Sequence, residues 1–384
     1  VRKTVFELIR EHKAAVQETP CIVVDTETAK KNICRMQEAV SACGCKLRPH
    51  IKTHKIPYFA RLQLAAGAEG ITCAKVSEAE VMAAGGVEDI FIAYPMVGEF
   101  RIHRALELQK RVKRLILAVD SLEGAAALSR SAGEAGLTCE VRLEVDTGAR
   151  RTGVTRRHVL ELAGQIAALP HLNLTGIYTF KSLVLHGCPT EDNKAAAVEE
   201  AELMSGMAAS LRTRGLPIRE VSAGSTPTGL QVARTGLVTE VRPGTYIFGD
   251  WMLTKENCAA VEDIAVRLYA MVVSTPAPDY AVLDGGTKTF PMDIPLDTPP
   301  FLYPGYAIPI GEDGKPDENL QLRRMNEEHG ILTAKNGRTG LRVGQVLELI
   351  PIHVCTAVNM QNSVFVFEDG VLRRMPVEAR GMLV

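Results

Sequence analysis

The segment Arg48-Pro49-His50-Ile51-Lys52-Thr53-His54-Lys55 places two histidines, two lysines and an arginine in one short stretch between two apolar, helix-like runs. Read as an extended strand, it puts Arg48, His50, Lys52 and His54 on one face and Lys55 on the other. A lysine amine acts as a nucleophile toward carbonyl groups once it has lost its proton, and cations on the same face favour that loss. Lys52 is therefore the candidate nucleophile, with His50 and His54 as candidate bases and Lys55 as the competitor. A second constellation is His353-Val354-Cys355, inside the apolar run from Val346 to Val358. On a strand, positions i and i+2 share a face, so imidazole and thiol would converge. Nitrogen and sulfur donors together suit zinc, with water or substrate filling the remaining positions; manganese or magnesium are the alternatives. Taken alone, the spacing is a weak signal, and a buried histidine beside an inert thiol is the more ordinary reading.

These side chains need a scaffold. Eight apolar stretches read as strands: 47–52, 70–73, 89–93, 114–119, 138–146, 173–179, 219–223 and 238–242. Helix-like runs fall between them, among them 77–84, 121–135, 156–168 and 193–214. Eight β/α repeats rich in Val, Ile and Leu predict a closed parallel (β/α)8 barrel of the TIM type. An open doubly wound sheet is the alternative, weakened because no G-x-G-x-x-G follows the first strand. In a barrel the chemistry sits on the loops after the strands. Lys52 ends the first strand, Asp146–Gly153 follows the fifth, and Tyr178 ends the sixth. Ala223-Gly224-Ser225-Thr226-Pro227-Thr228 follows the seventh, and Arg242-Pro243-Gly244-Thr245-Tyr246 the eighth. The last two loops, rich in Gly, Ser and Thr, stand where such barrels bind phosphate. A lysine on the same rim as a phosphate site suggests pyridoxal phosphate.

The pattern changes near Asp250. Strands are predicted over 264–275, 280–284, 344–354 and 363–371, with a hairpin turn at Glu368-Asp369-Gly370 and a polar loop over 311–319. The domains expected are a barrel over 26–250 and a mainly antiparallel β domain made of 1–25 and 251–384. Asp284–Lys288 reads as a turn or a part of the site rim, and Trp251 as a packing residue at the domain junction. A net charge of −1 gives no electrostatic case for nucleic acid or an anionic membrane. No apolar run reaches the length of a membrane span. Nine cysteines without a disulfide or zinc-finger framework point to a reducing, cytoplasmic setting. The first eighteen residues carry scattered charges and no signal-peptide core, and the absence of an initial Met suggests a processed start.

R-P-H-I-K-T-H-K resembles the cofactor-lysine motif of the D-threonine aldolase and D-serine dehydratase group, fold-type III pyridoxal phosphate enzymes related to alanine racemase. Thr19-Pro20 and Val23-Val24-Asp25 are similar to the first segment of that group. Asp146–Gly153, Arg242–Tyr246 and His353–Asn359 are similar to its ring-contacting, phosphate-binding and metal segments. The resemblance implies that Lys52 carries the cofactor as a Schiff base. Arg151 and Tyr178 would line the ring, and Arg242 would face its nitrogen. Ser225, Thr226, Gly244 and Thr245 would hold the phosphate, and His353 and Cys355 a divalent metal. Phe180 stands where the group often has a histidine, which puts one contact of that loop in doubt. The implied reaction is a metal-assisted lyase step on a small D-β-hydroxy amino acid, in a homodimer. A dehydratase would release a keto acid and ammonia, and H-x-C resembles that branch. An aldolase would release glycine and an aldehyde. An amino-acid racemase, with Tyr269, Tyr280, Tyr303 or Tyr306 as second base, is a further alternative. A barrel that only carries cofactor is disfavoured by the complete β domain.

Overall fold

A computed structural model describes residues 3–368 and 370–384. Its contacts divide the chain into two compact units. One is Ile33–Gly244 with Met382–Val384; the other is the chain up to Asn32 with Thr245–Gly381.

The first unit is the barrel. Its strands are β1 (Lys46–Leu47), β2 (Ile71–Cys73), β3 (Asp89–Pro95), β4 (Arg114–Val119), β5 (Cys139–Asp146), β6 (Leu172–Tyr178), β7 (Glu220–Ala223) and β8 (Glu240–Val241). They pair in sequence order, all parallel, and β8 pairs with β1. The ring closes between β1 and β2, where His50 bridges Thr72 and the Thr72 N–H donates to Pro49 O at 2.7 Å. Strands covered on both faces must be apolar throughout, which is why the Val/Ile/Leu runs marked them. Two of the connecting helices start at a capping side chain. Ser121 Oγ accepts from Gly124 N–H before Leu122–Glu134, and Asp192 accepts from Ala195 N–H before Asn193–Thr213.

Charge is also built into this interior. Glu240 on β8 accepts from Arg48 Nε at 2.7 Å, from Arg142 on β5, and from Ser222 Oγ on β7 at 2.6 Å. Arg48 continues to Asp89 on β3. Burial alone would raise the pKa of Glu240; the charges of Arg142 and Arg48 instead hold it well below the usual carboxylate range.

The predicted strand over 47–52 is corrected here. The ladder stops at Leu47, leaving one isolated bridge at His50, and Ile51–Thr53 forms a 3-10 turn. Pro49 has no N–H to continue the ladder. His50 then caps the turn, its Nδ1 accepting from Lys52 N–H at 3.3 Å. The alternation that set Lys52 apart from Lys55 is therefore absent.

The second unit is mainly antiparallel β. Val266–Ala277 is its spine, pairing with Cys21–Asp25, Tyr280–Leu283 and Val346–Pro351. Cys21–Asp25 also pairs, in parallel, with Ser363–Glu368, so these early residues belong to this sheet. Trp251 packs within this unit's own core, against Ile264, Ile308 and Ile350. Asp284 acts as a local clasp, its carboxylate accepting from Thr19 Oγ1 at 2.6 Å and Met271 N–H at 2.8 Å. Ser363–Glu368 and Val371–Pro376 pair as a hairpin; Asp369, in the turn predicted between them, lies outside the described residues.

The strand predicted over 344–354 ends at Pro351, and Val354–Met360 is helix. The cause is Asp250, 104 residues upstream in sequence. One oxygen of its carboxylate accepts from Leu253 N–H at 2.9 Å and the other from Val354 N–H at 3.0 Å, which starts two helices at once. Among the described residues no helix is long and apolar enough to cross a membrane, and all nine cysteines are free.

Candidate active site

In the barrel unit, the turn Ile51–Thr53 presents Lys52 half-buried, and the two lysines of the motif have different surroundings. Lys55 is buried, with Nζ 3.4 Å from Glu78. Among the described residues Lys52 has no ion pair; its ammonium lies 5.9 Å from the centre of the Phe180 ring. The Arg151 guanidinium lies over the same ring at 4.4 Å, so Phe180, just beyond β6, supports both cations. Burial first, then the charges of Lys52, Arg242 and Arg151, lowers the His50 pKa well below its ordinary value. Its Nδ1 accepts from Lys52 N–H, which leaves Nε2 as the protonated nitrogen of a neutral ring.

The other expected residues of this unit gather less uniformly. Arg242 is buried and donates to Ser222 Oγ at 2.6 Å and to Thr179 O, with its guanidinium 5.2 Å from the Tyr178 ring. Burial lowers its pKa, although it stays a cation. Tyr178 turns inward and donates its hydroxyl to Glu144 at 2.9 Å. In the loop after β7, Ser225 N–H donates to Thr228 Oγ1 at 3.2 Å. Thr226 Oγ1 accepts from Gly244 N–H at 3.1 Å, joining the loops after β7 and β8. Gly244 has to be glycine, because a Cβ there would stand 2.7 Å from His50 O.

His54 does not belong to this group. It is fully buried; its Nδ1 accepts from Ile56 N–H at 3.0 Å and its Nε2 meets Gln63 at 3.3 Å. Burial lowers its pKa to about 4. Arg48 is likewise engaged by Glu240 and Asp89, so His50 is the one motif partner left beside Lys52.

In the β unit, His353 caps the helix Val354–Met360, and Cys355 lies in its first turn. Spacing on a strand does not unite them, but the helix start does: the imidazole is hydrogen-bonded to the Cys355 thiol. Thr245 belongs to this unit, with its hydroxyl 3.6 Å from Cys355 Sγ. The other His353 nitrogen, Nδ1, lies 2.6 Å from Asp293 Oδ2, which also accepts from Thr356 Oγ1 at 2.9 Å. Burial alone would lower the His353 pKa; the Cys355 sulfur and Asp293 raise it well above its ordinary value. Among the described residues no cluster of three His, Cys, Asp or Glu side chains forms a closed metal cage. The donors on offer are an imidazole and a thiol, a combination that suits a zinc ion with open positions.

Asp293, Thr356, Asp250, Glu144 and Phe180 were not selected as functional residues from the sequence. No short motif surrounds them, and each gains its role from a partner distant in the chain. Phe180 was the exception in one respect, since its departure from the expected histidine marked the position.

Comparison with known proteins agrees with this architecture. Residues 24–251 match the family model for the alanine racemase N-terminal domain, and residues 265–367 match that for a serine dehydratase domain. The chain is 34% identical over 347 residues to the D-threo-3-hydroxyaspartate dehydratase of Delftia sp. (strain HT23), covering 88% of this chain and 91% of that protein. It is 32% identical over 368 residues to the D-threonine aldolase of an Arthrobacter species, covering 95% and 93%. A solved structure of a cysteine-to-alanine variant of a D-threo-3-hydroxyaspartate dehydratase, in the metal-free form, superposes with a TM-score of 0.85 at 31% identity, covering 98% and 99%. The chain therefore belongs to the fold-type III pyridoxal phosphate family of D-threonine aldolases and D-serine dehydratases, with an alanine racemase-like barrel followed by a serine dehydratase domain.

Proposed function

We propose that this protein is a pyridoxal phosphate- and metal-dependent dehydratase of small D-3-hydroxy amino acids, which it converts to a 2-oxo acid and ammonia. The observation that carries the choice is the His353–Cys355 pair, a nitrogen and sulfur donor set held together at a helix start. The metal-free form described for a cysteine variant of the dehydratase relative supports a cysteine-held metal here. The borderline-soft donors favour zinc over manganese or magnesium.

The barrel residues fit the cofactor. Among the described residues Lys52 has no carboxylate partner to hold its side chain, so its amine, once deprotonated, would be open to an aldehyde. Close backbone approach at Gly244, with the Ser225 and Thr226 hydroxyls nearby, suits a phosphate; Thr245 extends that loop. Arg151, held over Phe180, would flank the cofactor ring. Arg242, fixed by Ser222 and the Tyr178 ring, would supply a positive charge to the ring nitrogen.

When bound, pyridoxal phosphate serves as an electron sink for charge developing at the substrate Cα, and a divalent metal acts as a Lewis acid on the β-hydroxyl. Lys52 Nζ accepts the Cα proton once substrate has taken its place. His50, neutral with Nε2–H outward from its Nδ1 contact, donates a hydrogen bond rather than acting as a base. His353 and Cys355 would hold the metal, which would supply Lewis-acid assistance to a leaving hydroxyl. Nine free thiols support a reducing compartment, the cytoplasm.

The test is product analysis with D-serine, D-threonine and D-threo-3-hydroxyaspartate, with and without a chelator. Equal amounts of keto acid and ammonia, lost on chelation and restored by zinc, are expected. Glycine plus aldehyde would favour the second reading, aldol cleavage, which the Arthrobacter relative supports. Neither product from any of the three would reject the lyase reading.

A further inference from the structure

One oxygen of Asp293 ties down the His353 imidazole from sixty positions away in the chain. Oδ2 sits 2.6 Å from His353 Nδ1 and accepts from Thr356 Oγ1 at 2.9 Å. His353 and Thr356 are one turn apart at the start of the same helix, so a single carboxylate oxygen grips both ends of that turn. A carboxylate can only accept, so Nδ1 carries the proton and the lone pair for a metal is on Nε2. Thr356 supplies a second donor to the same oxygen and fixes its direction.

We propose that Asp293 is a positioning residue for the metal pair: it sets the His353 tautomer, orients the ring toward Cys355, and strengthens Nε2 as a donor by drawing on the Nδ1 proton. A site with two protein donors depends more heavily on the quality of each than a closed four-ligand cage does, because no further side chain compensates for a rotated ring. The inference rests on the reading that His353 and Cys355 bind metal.

The test is an equilibrium zinc titration of the cofactor-loaded protein against a chromophoric chelator, with the visible spectrum of the cobalt-substituted protein as a second readout. Asp293→Ala should weaken zinc binding by about ten- to a hundredfold and alter the cobalt spectrum, while leaving the cofactor absorbance and the melting temperature of the metal-free protein unchanged. Asp293→Asn keeps an oxygen acceptor without the charge and should fall between Asp293→Ala and the unsubstituted protein. Thr356→Val should weaken binding by less than Asp293→Ala. Zinc affinity within twofold of the unsubstituted protein in Asp293→Ala would overturn the inference while leaving the metal reading intact, provided that Cys355→Ala weakens binding. A loss in Asp293→Ala as complete as that in His353→Ala would also overturn it, since Asp293 would then be a ligand. Equal zinc affinity in Cys355→Ala and the unsubstituted protein would remove the metal reading, and the inference with it.

Discussion

Lys52 and Lys55 lie on the same short turn, yet only one is available for chemistry. The carboxylate of Glu78 takes up Lys55, whereas Phe180 gives Lys52 a surface to lie on without neutralising it. The sequence reading preferred Lys52 for a shared strand face, and there is no strand face to share. What separates the two lysines is Glu78, a partner that no local pattern reveals. The same holds for His54, whose place in the motif suggested a base and whose ring is enclosed by Gln63 and Ile56. A buried carboxyl in the β unit offers a residue-scale test. Burial first, then the nearby Asp250 carboxyl, pushes the pKa of Glu256 up to about 8 from its ordinary 4.5. The unfolded chain releases this proton near 4.5 while the native state keeps it to about 8, so the native state binds more protons in that window. Stability should therefore fall as pH rises from about 4.5 to about 8 and level off above it. Glu256→Gln removes the titration. In denaturant melts of the metal-free protein it should gain on the unsubstituted protein by on the order of 1 kcal/mol or more between the two ends of that window. Parallel stability curves would contradict the assignment.

At the scale of elements, the barrel strands were legible as apolar runs, apart from the first, which ends at Leu47, and the helices as the runs between them. The two errors share one origin. Extended backbone was inferred from alternation at 47–52 and 344–354, but both segments turn where a side chain captures a backbone N–H. At the first, His50 caps its own turn. At the second, Asp250 reaches Val354 from far upstream. A helix start, and not a strand face, thus brings His353 and Cys355 together. The buried Arg48–Glu240–Arg142 cluster ties the barrel interior together: it joins β5 and β8 to the residue after β1 and reaches β3 through Asp89. Glu240→Gln leaves two buried guanidinium groups short of their counter-charge. It should cost about 3–5 kcal/mol of barrel stability, the range for breaking a buried ion pair from one side, read as a drop in the denaturant midpoint. A change below about 1 kcal/mol, as for an exposed pair, would mean that the cluster does not hold the barrel interior together.

For the whole molecule, the chain order conceals a discontinuous unit. Cys21–Asp25 is held between Val266–Ala277 and Ser363–Glu368, so the β unit is complete only when both ends of the chain are present. One break between the two units falls between Gly244 and Thr245. The pairing of Asp293 with His353 was not visible, because the two come from separate segments of that unit and neither segment has a motif that points to the other. The central claim is that Lys52, which has no ion pair among the described residues, holds the cofactor. Borohydride reduction of the cofactor-loaded protein, followed by peptide mapping, tests it directly. The phosphopyridoxyl group should be found on Lys52 and absent from Lys55; label on Lys55, or on no residue of the segment 48–55, would contradict the account.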